Sequence, residues 1–376
     1  MKHKFMVRLF ASLFFLLCII NFFVPKKTFS SRENRYLAFF PEFSWKNLVQ
    51  GKYTKGIENY VIDQFVLRDQ WIGLKTFFQK FTGESDNQKV YFTKDKSLVE
   101  IWEKIDEKKW KENIAQVQEF VQRIQKDYAL PVYTMIAPTA AAVVFEQLPE
   151  HAPEVVQKER LEELQKKIPN CFSPLSDLLQ YRQEYIYYHT DHHWTSLGAF
   201  YAYERYCQEV SLKKPSLQDY QVEVLSQNFL GTLYAKSGFY EGKKDEILAY
   251  HSPLADSAVV DYVDEEEKSS GLYARDFLEK TDQYRVFLNG NQSLCEIQTN
   301  KQNQKRLLVI KDSFANSFIP FLCTNYEKIV VVDLRYYKYS LDKLIEEKNI
   351  SDILILYNLK SFSEDDYLSL LNMPIE

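Results

Sequence analysis

The sequence predicts an α/β protein: a parallel β-sheet covered by helices on both faces, behind an N-terminal transmembrane anchor. Three observations predict it. Wholly apolar runs of five or six residues, as in "RLLVIKDSF", "KIVVVDLRYY" and "DILILYN", alternate with helical stretches, the pattern of strands buried on both sides. Polar residues follow these runs directly, as Asp312-Ser313, Arg335-Tyr336-Tyr337 and Tyr357-Asn358, and open parallel sheets bind ligands at the C-terminal ends of their strands. The chain also opens on a basic tip followed by a long, predominantly apolar stretch.

That opening, "MKHKFMVRLFASLFFLLCIINFFVPKK", carries Lys2, Lys4 and Arg8 before an apolar run from Leu9 to Val24. Phe5 and Met6 lengthen the run and Arg8 can snorkel to the headgroups. Val24-Pro25-Lys26-Lys27 follows instead of a small-x-small cleavage site, so an uncleaved signal anchor is expected, with everything after residue 27 outside the cytoplasm. Residues 28–85 read as an extracytoplasmic lead and stalk helix, with Ile57, Tyr60, Val61 and Phe65 at helical spacing. "KVYFTKDKSLVEI" alternates like a hairpin about Lys94-Asp95-Lys96.

Residues 86–376 are expected to form the main domain. Trp110, Ile114, Val117, Val121 and Ile124 make one apolar helical face; "LPVYTMIAP" is a buried strand, "PEVVQKERLEELQKKI" a helix and "EYIYYHT" another strand. A helix from Ser196 to Glu209 comes next. Residues about 212–284, with the acidic run Asp264–Glu267, lose the rhythm and read as an insertion. The alternation then resumes to the end.

Beyond residue 27 there are 42 basic and 52 acidic side chains. That balance excludes nucleic acid, whose phosphates demand positive charge. The five cysteines form no CxxC or Cys/His pair suggestive of zinc. The sequence predicts neither a metal nor a cofactor.

Two segments carry chemistry. "VIKDSF" sets Ser313 where a buried strand turns into a helix, exposing a hydroxyl beside helix N-terminal N–H groups. Ser and Asp are also ordinary N-cap residues. "YYHTDHHW" supplies Asp191 and His193, a base and a group to orient it. A metal site from His189, Asp191, His192 and His193 is the rival. Adjacent side chains in an extended segment diverge, and no distant ligands accompany them. A purely structural network around a core Trp194 is the third reading.

"TDHHWT" together with "KDSF" resembles the DHHW family and its relatives, the alginate O-acetylation proteins with an SGNH hydrolase-like domain. "ENRYLAFFP", "YVIDQFVLRD", "FLNGN" and "DILILYN" support the resemblance, which spans nearly the whole chain beyond the anchor. It implies an SGNH-hydrolase-like (flavodoxin-like) sheet in which Asp-x-His precedes the serine, the reverse of ordinary SGNH enzymes. Asp191 and His193 before Ser313 agree with that order. By resemblance Ser313 is the nucleophile, His193 the base and Asp191 its orienter. Ordinary SGNH enzymes add a glycine and an asparagine as oxyanion donors. Asn358 is the candidate asparagine; Arg335 or Tyr336 stands where the glycine would be; Asn291 is an alternative.

The resemblance implies transfer of an acetyl group to a polysaccharide through an acetyl-serine. Acetyl-CoA is absent outside the membrane, so it also implies a multi-spanning membrane O-acyltransferase that hands the acetyl group across. Tyr336, Tyr337, Tyr339 and tyrosines of the insertion could stack on sugars. A carbohydrate acetylesterase and a non-catalytic polysaccharide-binding scaffold of the same fold remain open.

Overall fold

The structure is a computed structural model that describes residues 2–30, 35–214, 216–263 and 267–374. Glu33 and Asn34 of the "ENRYLAFFP" match, and all of the acidic run Asp264–Glu267 except the backbone of Glu267, lie outside the described residues. Helix α1 (Lys2–Phe23) contains a segment, Lys4–Phe23, that is long and apolar enough to cross a membrane. A short helical turn (Trp45–Val49) and two longer helices follow, α2 (Lys52–Gln64) and α3 (Arg68–Phe81), and then the hairpin β1 (Val90–Phe92) and β2 (Leu98–Glu100).

Helix α4 (Glu107–Tyr128) begins where the Asp106 carboxylate accepts the N–H groups of Lys108 and Lys109. Its expected face, Trp110 to Ile124, is buried against the sheet. Five strands form the parallel part of that sheet: β3 (Val132–Ala137), β4 (Cys171–Phe172), β10 (Arg306–Lys311), β11 (Lys328–Val332) and β12 (Asp352–Asn358). An antiparallel margin completes it: β7 (Val259–Tyr262), β8 (Glu267–Ser270) and β9 (Leu294–Gln298). The spatial order is β8-β7-β9-β11-β10-β12-β3-β4.

Alternation on the strands splits the interior into two layers. Leu307, Val309, Ile329, Val331, Leu354 and Leu356 join one apolar cluster, together with helix α6 (Ser196–Glu209). Leu308, Ile310, Val330, Val332, Ile353 and Ile355 join the other, with α4 and with helices α5 (Gln157–Lys167) and α8 (Leu341–Lys348). The fold is therefore the expected sheet with helices on both faces. Central β10 is held between β11 and β12, both of which follow it in sequence.

Residues 212–284 form an antiparallel hairpin, β5 (Gln221–Phe229) with β6 (Asp245–His251), the helix α7 (Thr232–Ser237), and strands β7 and β8. One local expectation fails: "EYIYYHT" is not a strand. Residues 181–195 are turns and bends, pinned by a lone bridge between Tyr187 and Trp194. Their aromatic run serves burial, not sheet pairing: Ile186, Tyr187 and Tyr188 are all buried.

Candidate active site

The loop bearing "DHHW" is a narrow backbone hairpin. The Thr195 N–H donates to the Ile186 carbonyl (2.9 Å) and the Tyr188 N–H to that of His193 (3.2 Å). Trp194 is wholly buried, and its indole N–H donates to the Phe314 carbonyl (3.0 Å) and Ser317 Oγ (3.1 Å). The tryptophan thus ties the loop to the turn after β10. There Ser313 opens a short 3₁₀ helix (Ser313–Ser317) capped by Asp312.

His193 Nε2 lies 2.8 Å from Ser313 Oγ, and its Nδ1 lies 2.5 Å from Asp191 Oδ1. Ser313 is partly exposed, whereas Asp191 and His193 are buried. The Asp191 carboxylate also accepts the His193 N–H (3.0 Å) and, at Oδ2, the N–H and O–H of Thr232 (2.8 and 2.9 Å). Burial opposes its charge, but the neighbouring histidines and these hydrogen bonds prevail and hold its carboxyl far below the usual range. With Nδ1–H donated to a carboxylate, His193 presents a lone pair at Nε2 to the serine hydroxyl. The Tyr284 ring stacks on the imidazole (3.9 Å between centroids, 8° between planes), and its hydroxyl donates to the Ser313 carbonyl (3.2 Å).

His192 Nδ1 lies 2.7 Å from Thr232 Oγ1. Because that hydroxyl donates to Asp191, His192 is the donor here. Burial and the adjacent His193 push its pKa down to about 3, so it is neutral. Asp191, His192 and His193 offer ligand atoms within 4.8 Å of one another. A metal ion there would have to break the His193–Asp191 bond that orients the imidazole, and His189 is turned away towards Asp245 (3.4 Å).

The oxyanion candidates sit otherwise than expected. Asn358 donates through Nδ2 to Asp312 Oδ2 (2.6 Å) and Ser361 Oγ (2.6 Å), so both amide hydrogens are committed to structure. Asp312 also accepts the N–H groups of Asn358 (2.8 Å) and Phe314 (2.9 Å), which fastens the serine turn to β12. Arg335 grips Asp333 through Nε (2.8 Å) and Nη2 (2.5 Å). Asn291 Oδ1 accepts from Lys311 Nζ (2.8 Å) and Asn316 Nδ2 (3.1 Å), in a buried network beside the turn. Tyr336 is half exposed, Tyr339 more so, and Tyr337 is buried in the core. A donor closer to hand is the Ser313 N–H itself, which, as the first of its 3₁₀ helix, has no partner within that helix.

A cavity of about 570 Å³ opens beside His192 and Phe314, the sequence neighbours of His193 and Ser313, and is lined also by Thr139, Thr232 and Asn358. Glu100, Lys236 and Lys360 also line it, and Lys360 lies 3.2 Å from Glu100. Burial opposes ionisation of Glu100, but the two lysines outweigh it and lower its pKa to about 2.

Several contributors escaped sequence reading. Gly231 and Thr232 come from the presumed insertion. A Cβ on Gly231 would lie 2.3 Å from that of Asp191, so only glycine allows the carboxylate to reach the N-terminus of α7. Asp245 accepts the N–H groups of His189 and Thr190 (both 2.8 Å) and holds the loop from behind. Tyr284 closes the site from the same segment. "LGTL" before a short apolar run was the available sign of Thr232, and it reads as any helix start.

Comparison with known proteins now places the chain. The family model described as DHHW protein matches residues 80–332, and the chain belongs to that family. A DHHW family protein from Eubacterium siraeum superposes with a TM-score of 0.66 at 22% identity, over 77% of this chain and 99% of that one. PatB1 of Bacillus cereus is similar at a TM-score of 0.64 and 22% identity, over 77% of this chain and 100% of its own. The same protein with a sulfonyl adduct gives a TM-score of 0.64 at 21% identity, over 76% of this chain and 99% of its own. No curated protein matches the sequence.

Proposed function

We propose that this DHHW protein is an extracytoplasmic serine O-acetyltransferase acting on a cell-surface or secreted polysaccharide. The observation that carries the reading is the continuous relay from Asp191 through His193 to Ser313, with contacts of 2.5 and 2.8 Å. Residues 1–27 are the cytoplasmic tip and single-pass anchor, 28–85 the stalk, and 86–376 the catalytic domain. The apolar helix Lys4–Phe23 behind a basic tip supports this organisation.

His193 Nε2 takes the Ser313 proton as Oγ attacks the carbonyl carbon of the acetyl donor. The oxyanion is met by the Ser313 N–H. Collapse breaks the donor C–O bond, and the imidazolium returns its proton to the leaving oxygen. A glycan hydroxyl then gives its proton to His193 and attacks the acetyl-serine, and the proton passes to Ser313 as the ester leaves. Asp191 keeps the imidazole in the tautomer required and stabilises its charge in each half. The donor is passed across the membrane by a multi-spanning O-acyltransferase, as the family resemblance implies. The acceptor lies in the cavity beside His192 and Thr232; exposed Tyr336 and Tyr339 are available to stack on sugar rings.

Intact-mass analysis after incubation with an activated acetyl ester tests this. One acetyl adduct is expected, absent in Ser313→Ala and discharged by an added glycan. Discharge into water alone would make the protein an acetylesterase. Absence of both adduct and ester hydrolysis would leave a non-catalytic polysaccharide-binding scaffold.

A further inference from the structure

The helices after the anchor are arranged the wrong way round for a water-exposed surface. In α2 the buried side chains are Asp63 and Gln64, whereas Val61 and Ile62 are 48% and 51% exposed. In α3, Thr76 is buried and donates to the Ser237 carbonyl (2.6 Å), and a Cβ on Gly73 would lie 2.7 Å from the Gly238 carbonyl oxygen. That side packs on the main domain. The opposite side carries Trp71, Leu74, Phe78 and Phe81, at i, i+3, i+7 and i+10, all exposed. Soluble proteins rarely leave such a continuous apolar stripe open to water.

The junction of these helices is bonded to the anchor. The Val66 N–H donates to Asn21 Oδ1 (2.9 Å), Gln64 Oε1 accepts the Lys27 N–H (3.0 Å), and Gln64 Nε2 donates to the Lys27 carbonyl (2.8 Å). Asn21 lies in the last turn of α1. If α1 crosses a bilayer, this elbow lies at the outer edge of the hydrocarbon layer, at the depth where aromatic side chains concentrate.

We infer that the apolar faces of α2 and α3 rest in the interfacial layer of the same bilayer, so that the catalytic domain is clamped to the membrane surface instead of hanging on a tether. The occupant of this face is lipid. An amphipathic pair held at the headgroup level sinks its apolar stripe to the acyl boundary, about 5–10 Å deep, and Lys75 beside the stripe can reach back to the headgroups. The inference rests on the reading of α1 as a spanning anchor. It places the active site within reach of a donor delivered at the membrane.

The test uses the full chain reconstituted in phosphatidylcholine vesicles whose acyl chains are brominated close to the headgroup. Of the five tryptophans, Trp45 and Trp71 are exposed, whereas Trp102, Trp110 and Trp194 are buried. Emission is expected to fall relative to unbrominated vesicles, and in a chain carrying Trp45→Phe, where Trp71 is the remaining exposed tryptophan, the quenching is expected to persist and to vanish when Trp71→Phe is added. A chain that floats with vesicles after an alkaline wash but shows no quenching would overturn the inference and leave the anchor intact. A chain that does not float would overturn both. Unquenched emission from a chain that elutes as a dimer in detergent would assign the face to a second copy instead of lipid.

Discussion

The two halves of the active site are built from different kinds of structure. Ser313 follows the central strand of a regular parallel sheet, and its turn is fixed by Asp312, which bridges to β12. Asp191 and His193 stand on a loop without regular structure, clamped by Thr232, Asp245 and Tyr284 from residues 212–284. Ser313 is delivered to the site chiefly by the topology of the sheet. Asp191 and His193 depend in addition on side chains from a distant segment, Thr232, Asp245 and Tyr284, each of which can be removed singly, so the two halves should respond differently to mutation.

The largest effect makes the halves equal. Ser313→Ala and His193→Ala should each reduce acyl transfer by about 10⁶-fold, read as adduct formation and ester turnover; Ser313→Ala should leave Tm nearly unchanged, whereas His193→Ala should lower it by stranding the buried Asp191 carboxylate. A loss confined to Ser313→Ala would remove His193 from the relay. Asp191→Asn should cost about 10⁴-fold by presenting the wrong tautomer. It should also flatten the acid limb of stability. Asp191 is held far below the ordinary carboxylate range, so its stabilisation is complete above that range and fades as pH falls beneath it.

Thr232→Val keeps the N–H to Asp191 but deletes the hydroxyl shared with His192. A loss of about 1–3 kcal/mol of transition-state stabilisation is expected, read as kcat/KM at unchanged fold. No change in kcat/KM would mean that the clamp on the base half is redundant. The smallest effect concerns His192, whose pKa is pushed down to about 3. Between there and about 6.5 the unfolded chain binds a proton that the folded chain refuses. Acidification from pH 7 to 5 should therefore destabilise wild type more than His192→Asn, by of the order of 1 kcal/mol. Parallel Tm–pH curves would show that His192 stays hydrated in the fold.

The same contrast explains what was readable in the sequence. "RLLVI", "KIVVV" and "DILIL" announce strands because burial on both faces leaves no polar positions, and each strand appears where expected. "EYIYYHT" looked like a strand for the same reason, yet its aromatics are buried one by one in a loop. Period and composition report burial, not which neighbour supplies it. Asp191, His193 and Ser313 could be singled out because their residue types carry chemistry. Gly231, Thr232 and Tyr284 could not, because a glycine, a threonine and a tyrosine acquire meaning only from what lies opposite. Asn358 shows the converse: a suitable residue at a suitable strand end, with its amide hydrogens already given to Asp312 and Ser361.

The position of β10 between two later strands has a consequence for biogenesis. His193 and Ser313 are 120 residues apart, and one fastening of the serine turn, from Asp312 to Asn358, depends on the last strand of the sheet. In a chain made N-terminus first, the imidazole and carboxylate are present well before the strand that holds the hydroxyl in place. The Asp191–His193–Ser313 arrangement is therefore complete only once β12 has joined the sheet beside β10.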